Sequence, residues 1–161
     1  MLRNRIIPVL LLRGRGLIKT FKFCESKYVG DPINAVRIFN EKEVDELVFL
    51  DIDASKESRG PDFNLIEDIA SECFMPLAYG GGVKNIDQMK KLFSLGVEKV
   101  ILNSCLYHDV SLLTDAVEKF GSQSIVASID VKYNFWGTPL VFNHVERTTL
   151  KLSPTDYAKN L

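Results

Sequence analysis

Met75-Pro76-Leu77-Ala78-Tyr79 runs directly into Gly80-Gly81-Gly82, and Asn85-Ile86-Asp87 then opens a stretch with helical periodicity through Leu92 and Phe93. Gly96 closes that stretch, and Lys99-Val100-Ile101-Leu102 follows as a second apolar run ending at Asn103-Ser104. The pattern is strand, glycine turn, capped helix, glycine C-cap, strand: one β-α-β unit. It recurs in both directions. Upstream, Glu46-Leu47-Val48-Phe49-Leu50-Asp51-Ile52 reads as a strand apolar on both faces, with a carboxylate near its end. Asp62 starts a helix with Leu65, Ile66 and Ile69 on one face. Asp31-Pro32 supplies an N-cap and a first-turn proline for an earlier helix, with Ile33, Val36, Ile38 and Phe39 as its apolar stripe. The first strand is Ile6-Ile7-Pro8-Val9-Leu10-Leu11, and Leu17 to Phe23 alternates as a small hairpin would within a long loop.

Downstream, Leu112 to Phe120 is helical and stops at Gly121, and Ser124 to Ile129 is a fifth strand ending at Asp130. Residues 133–150 have the texture of a β-hairpin insertion around Gly137-Thr138-Pro139, with Trp136 expected to pack it. Ser153-Pro154-Thr155-Asp156 caps a last helix. Doubly buried strands alternating with helices imply an α/β fold with a parallel sheet. A doubly wound sheet and a (β/α)8 barrel both satisfy it. Polar or glycine residues end successive strands at Asp51, Gly80 to Gly82, Asn103-Ser104 and Asp130, and a TIM barrel concentrates its site at that face. Such a barrel needs about 250 residues. The expectation is therefore a truncated TIM barrel, its N-terminal portion of about five β/α units filling residues 1–161.

Composition sets the class. The chain has 161 residues, 46% hydrophobic and 25% charged, a balance that excludes intrinsic disorder. A net charge of -1 leaves no broad positive field, so nucleic acid is not an expected partner. Three cysteines, Cys24, Cys73 and Cys105, with no CxxC spacing disfavour a disulfide framework or zinc site and suit reduced, buried thiols in the cytoplasm. The start, Met1 to Arg5 and then Ile6 to Leu12, looks superficially like a signal peptide, but Pro8 interrupts its apolar run and no cleavage site follows. No run approaches the roughly 20 apolar residues that span a membrane.

The chemistry sits at strand ends. Gly80 to Gly82 before a helix offers backbone N–H groups to a phosphate, and Asn103-Ser104 adds an amide and a hydroxyl one strand later. A tight strand-to-helix turn would use the same glycines. Lys19, in the first long loop, is placed to reach a second anion or simply to be solvated. Asp51 and Asp130 are candidates for acid/base work or substrate orientation, or for capping the turns that follow. Arg5, Glu46 and Lys99 each stand at the amino end of a strand, with signs that suit an ionic ring. His108 and His144 match neither a triad nor metal-ligand spacing, so no metal or cofactor is expected.

Taken in order, Arg5-Ile6-Ile7-Pro8, Gly30-Asp31-Pro32, Asp45 to Ile52, Gly80-Gly81-Gly82, Gly121-Ser122-Gln123 and Ile129-Asp130 resemble the cyclase subunit of imidazole glycerol phosphate synthase along essentially the whole chain. The resemblance implies a (β/α)8 barrel that receives ammonia from a glutaminase partner at its amino-terminal face and delivers it to a phosphorylated substrate at the opposite mouth. By that resemblance Arg5, Glu46 and Lys99 match three of four residues of an ammonia gate. Gly81, Gly82, Asn103 and Ser104 match one phosphate site, Lys19 the loop lysine, Asp130 a catalytic aspartate and Glu98 an acidic interface position.

One position departs. The family's other catalytic aspartate falls at position 11, which is Leu11 here, and leucine transfers no proton. A leucine there resembles a paralogue of surface-polysaccharide pathways that works with a glutaminase-like partner in sugar amidation. Residues 30–36 and 39–47 look like that branch as well. The leading expectation is thus an ammonia-receiving, cyclase-like subunit acting on a phosphorylated small molecule or sugar nucleotide. A histidine-pathway cyclase (a lyase) and a catalytically inert half-barrel interaction module are the alternatives. An unclosed barrel would expose strand edges, so self-association is also expected.

Overall fold

The computed structural model describes residues 4–21 and 25–161, and the chain forms two compact units, Met1–Val100 and Ile101–Leu161. Lys22, Phe23 and Cys24 therefore lie outside the described residues, as do Met1 to Arg3.

The first unit contains β1 (Val9–Arg13), β2 (Gly16–Phe21), β3 (Glu25–Gly30), α1 (Pro32–Glu41), β4 (Leu47–Asp51), α2 (Phe63–Glu72), β5 (Leu77–Gly80) and α3 (Ile86–Ser94). It also holds the first two residues of β6 (Lys99–Leu102). β4 is its axis. Leu47, Val48 and Phe49 are buried in succession, which only a strand covered on both faces allows. β1 runs parallel to β4 with Val9 opposite Val48, and β5 runs parallel on the other side with Leu47 opposite Leu77. β2 and β3 form an antiparallel hairpin added to the free side of β1, Leu11 facing Ile18. The helices cross over between parallel strands, and Leu12, Val36, Phe49, Ile66, Ile69, Met89 and Leu92 close the core beneath them. All of this is an α/β fold with a mostly parallel sheet.

Each helix starts where its cap stands. Asp31 accepts hydrogen bonds from the Ile33 and Asn34 amides, Asp62 from Leu65, and Asn85 from Gln88. Gly96 (φ +100°) follows α3 in a conformation that L side chains rarely adopt.

Four sequence expectations shift in this unit. The first strand begins at Val9 rather than Ile6. Residues 6–8 still lie beside 45–48, with Asp45 N–H donating to Ile6 C=O and Val48 N–H to Pro8 C=O, but Pro8 has no N–H to return. Ile38 leaves the buried stripe: it lies two residues, about 200°, round the helix from the buried Val36 and is exposed. Lys19 stands on strand β2 directly opposite Lys27 of β3, not in an open loop. The fourth shift, at the glycine turn, belongs to the site below.

The second unit holds the end of β6, a 3-10 turn (Ser104–Tyr107), α4 (Ser111–Phe120), a 3-10 turn (Ser122–Ser124), β7 (Ile125–Ala127), β8 (Val131–Tyr133), β9 (Pro139–Asn143), β10 (Thr148–Thr149) and α5 (Pro154–Asn160). β7 lies beside β6, Ser128 N–H reaching Leu102 C=O at 2.8 Å. Gly121 (φ +87°) stops α4 as its position suggested. The insertion is a three-stranded antiparallel sheet in the order β10-β9-β8, one strand more than a hairpin. Its tip is set by the Asn134 side chain, which accepts from the Trp136 and Thr138 amides. Trp136 does not pack the insertion. It is 86% exposed beside Phe135, because the tip runs past the strands whose inward residues are Val141 and Asn143. Cys73 and Cys105 are free and half-buried. No helix among the described residues is long and apolar enough to cross a membrane.

Burial opposes ionisation of Asp62, but the Leu65 amide and Arg15 outweigh it and hold the carboxyl below its ordinary range. The folded state gains from this group above the usual carboxylate pKa of about 4. That gain disappears as pH falls through the lowered value. Denaturant titrations across pH 2–6 should therefore give a shallower acid loss of stability for Asp62→Asn than for the unsubstituted chain.

Candidate functional site

Parallel strands give the first unit two chemically different ends. At the amino ends stand Arg5 before β1, Glu46 before β4 and Lys99 opening β6. Glu46 is 4% exposed, and an isolated carboxylate so placed would be costly. The Lys99 ammonium donates to its Oε2, and Arg5 Nη1 lies 3.6 Å from the same oxygen. The structure thus brings these three residues together, with one more positive than negative charge. Arg5 remains largely open to solvent. At the same end Asp45 Oδ2 accepts the Ile6 amide at 2.6 Å, and Glu98 is exposed while its N–H donates to Leu77 C=O.

At the carboxyl ends, Asp51 closes β4 with its side chain buried. Oδ1 accepts the Asp53 and Ala54 amides, and the Arg59 guanidinium spans both oxygens, with Nη1 3.0 Å from Oδ2. Asp51 first and Glu57 second push the Arg59 guanidinium still further above its already high range. Arg59 escaped the sequence reading. Its only signal was that a buried strand-end aspartate needs a cation close along the chain. Around it, Arg13 pairs with Asp53, Lys56 lies 3.6 Å from Asp53, and Arg15 lies 3.1 Å from Asp62. Burial, with the Asp51 charge behind it, pushes the Tyr79 phenol well above its ordinary range.

The glycine turn lies beneath the loop that Arg59 fastens. Gly81 has φ +122° and Gly82 φ +71°. A Cβ on Gly81 would sit 2.8 Å from Asp51 Cβ, and one on Gly82 would sit 2.6 Å from the Arg59 carbonyl oxygen. The close approach of residues 51–60 therefore requires both glycines. Helix α3 begins only at Ile86, and Asn85 caps it with its own side chain. The glycine amides are consequently not first-turn helix amides, which corrects the expectation from spacing.

In the second unit, Asn103 ends β6 and leads into the 3-10 turn that Ser104 begins. Asn103 Nδ2 lies 3.4 Å from Ser128 Oγ. Asp130, partly buried, sits between β7 and β8, and its carbonyl accepts the Phe142 amide at 2.8 Å. The Tyr107 hydroxyl donates to Phe142 C=O at 3.1 Å. Burial, then the nearby Asp130 charge, pushes the Tyr107 phenol above its ordinary range. These contacts of Ser128 and Tyr107 were not legible in the sequence, both residues being ordinary in type and spacing. Leu11 lies in the first unit, on β1, opposite Leu50 and Ile18. Among the described residues, no group of three or more His, Cys, Asp and Glu gathers as metal ligands would.

Two substitutions test this geometry. Lys99→Met strips Glu46 of its nearer cation and should cost about 3 kcal/mol in urea unfolding. Gly82→Ala should cost about 2–4 kcal/mol, since strain at positive φ adds to a backbone clash. Serine or alanine accepted at position 82 without loss would contradict the close packing described.

The sequence profile of the family described as "Histidine biosynthesis protein" matches residues 5–161. The chain is 55% identical over 161 residues to a protein of Pseudomonas aeruginosa and 56% identical over 138 residues to one of Vibrio vulnificus. They are named "Putative imidazole glycerol phosphate synthase subunit" hisF2 and hisF3, respectively. It is 41% identical over 138 residues to the "Imidazole glycerol phosphate synthase subunit HisF" of Methanoregula boonei. These matches cover 100%, 86% and 86% of this chain but 64%, 53% and 52% of the relatives, so the chain spans between half and two thirds of their length. Parallel strands joined by helices, and a match along nearly every residue, agree: the chain belongs to the histidine-biosynthesis family of TIM-barrel proteins that includes the cyclase subunit of imidazole glycerol phosphate synthase.

Proposed function

We propose that the full-length protein is a cyclase-like subunit that receives ammonia from a glutaminase partner in the cytoplasm and uses it to amidate a phosphorylated sugar or sugar nucleotide. The observation that carries this reading is the Arg5–Glu46–Lys99 cluster at the amino ends of the strands, set against Leu11 on β1. The cluster has a net positive charge, which disfavours ammonium and leaves neutral ammonia free to pass. Leucine at position 11 removes one half of an acid/base pair while leaving such a conduit untouched. Asp130 remains as a proton-handling carboxylate. Lys19, the Gly81 and Gly82 amides, Asn103 and Ser104 are assigned to substrate phosphate. Asp51, whose carboxylate already holds Arg59 and two amides, acts there through the charge and loop it fixes rather than by proton transfer. Glu98 is assigned to the partner interface.

A histidine-pathway cyclase is the second reading, favoured by the names of the relatives and by the retained Asp130. The two separate in one experiment. Full-length protein with its glutaminase is given amide-15N glutamine and either a nucleotide-linked sugar acid activated as its acyl phosphate, from which ammonia displaces phosphate to form the amide, or the histidine-pathway intermediate. Label is expected in a sugar amide, with turnover of the histidine intermediate at least about 100-fold slower, the scale of losing a general acid or base. Fast cyclisation that Asp130→Asn abolishes would establish the second reading instead. Absence of any glutaminase association would leave an interaction module.

A further inference from the structure

The tip of the insertion, Asn134-Phe135-Trp136-Gly137, holds two aromatic rings in full view of solvent, Phe135 being 95% exposed and Trp136 86%. The turn does not need them. Asn134 Oδ1 accepts the Trp136 and Thr138 amides, Gly137 N–H donates to Asn134 C=O at 3.0 Å, and Gly137 (φ +75°) closes the bend. Polar side chains at 135 and 136 would serve the same turn without presenting apolar surface to water. The rings meet edge to face, 5.6 Å between centroids and 88° between planes. Perpendicular rings leave a right-angled notch, which a flat ring fills by stacking on one and meeting the other with its edge. The notch is also tied to Asp130. Four residues separate Asp130 from Asn134, about 13 Å of extended chain. Along them Val131 pairs with Val141 and Tyr133 with Pro139, and the Asp130 carbonyl accepts the Phe142 amide. Midway, Lys132 is exposed, with its ammonium 5.0 Å from the centre of the Phe142 ring. A carboxylate, a cation and a stacking notch thus follow one another along β8, all within the second unit.

We propose that Phe135 and Trp136 stack on the base of a nucleoside diphosphate-linked sugar, with Lys132 beside the diphosphate, so that the substrate is a sugar nucleotide and not a simple sugar phosphate. The proposal rests on the functional reading above and narrows it. Every nucleobase offers a flat π-face to an aromatic ring, whereas a sugar phosphate offers none. The diphosphate of such a molecule separates base from sugar, as β8 separates the notch from Asp130. A protein partner fits less well. Asn134, Gly137 and Thr138 around the rings offer no apolar surface, and two side chains on a narrow tip fall far short of the roughly 800 Å² that each partner contributes to a stable interface.

The test is titration calorimetry of the full-length protein with uridine diphosphate, adenosine diphosphate and, as the base-free probe, inorganic pyrophosphate. Both nucleotides should bind at least about 10-fold more tightly than pyrophosphate, the scale of one stacked base. Trp136→Ala and Phe135→Ala should each remove most of that advantage and leave pyrophosphate binding unchanged, while Trp136→Tyr keeps it to within about 3-fold. Lys132→Met should weaken all three probes together. Because the rings lie outside the core, the thermal midpoint of Trp136→Ala should match that of the unsubstituted protein. Equal binding of nucleotides and pyrophosphate, or an advantage that survives both alanine substitutions, overturns the proposal. The labelled-glutamine assay separates its failure from that of the functional reading. A sugar amide formed as fast by Trp136→Ala at subsaturating substrate overturns the base site alone. Nucleotide binding that needs Trp136, with no amide from any sugar substrate, upholds the base site and overturns the functional reading. Self-association or glutaminase binding that Trp136→Ala abolishes, with nucleotide binding intact, assigns the rings to a protein and overturns the proposal.

Discussion

A single strand, β4, carries a buried carboxylate at each end, and both ends of the first unit are organised by the need to neutralise them. Leu47, Val48 and Phe49 are covered on both faces, and Glu46 before them and Asp51 after them are nearly cut off from bulk water. Lys99 and Arg5 answer the first, and Arg59 with two backbone amides answers the second. Each solution recruits a different part of the chain. Lys99 ties the start of β6 to β4, whereas Arg59 folds residues 52–60 back over the strand end. The two ends of the sheet then differ in kind: one an open cationic cluster, the other a clamped loop over glycines.

That difference bears on chemistry. A cluster with spare positive charge and a solvent-facing arginine repels cations and stays open at the amino ends of the strands. A clamped loop with saturated ion pairs makes the carboxyl end of the same strand rigid. Leu11, a side chain that transfers no proton, stands opposite Leu50 near the carboxyl ends, away from the ionic arrangement at the amino ends.

Much of this was legible because the relevant signals are local. Asp31-Pro32, Asp62, Asn85, Gly96 and Gly121 mark helix ends through chemistry within four residues, and each does so in the structure. Lys99 to Leu102 is a strand with the expected bounds. The ionic trio was legible too, since charges flanking apolar strands must gather at one end once those strands run parallel. What escaped is long-range. Arg59 acquires meaning only when its loop folds onto Asp51, and the need for glycine at 81 and 82 comes from that same approach rather than from a helix start. Tyr107 and Ser128 matter through partners 35 and 25 residues away. Trp136 was misjudged for the converse reason: its turn chemistry was readable, but whether a tip has anything to lie against is not a local property.

The exposed tip has a practical consequence for anyone following this molecule by light. Trp136 is the chain's one tryptophan and is already surrounded by water in the native state. Its emission should sit near the red limit before any denaturant is added and shift little as the core opens. The indole thus reports on what touches the tip, including a ligand or neighbouring chain, and is nearly blind to the loss of the sheet beneath it.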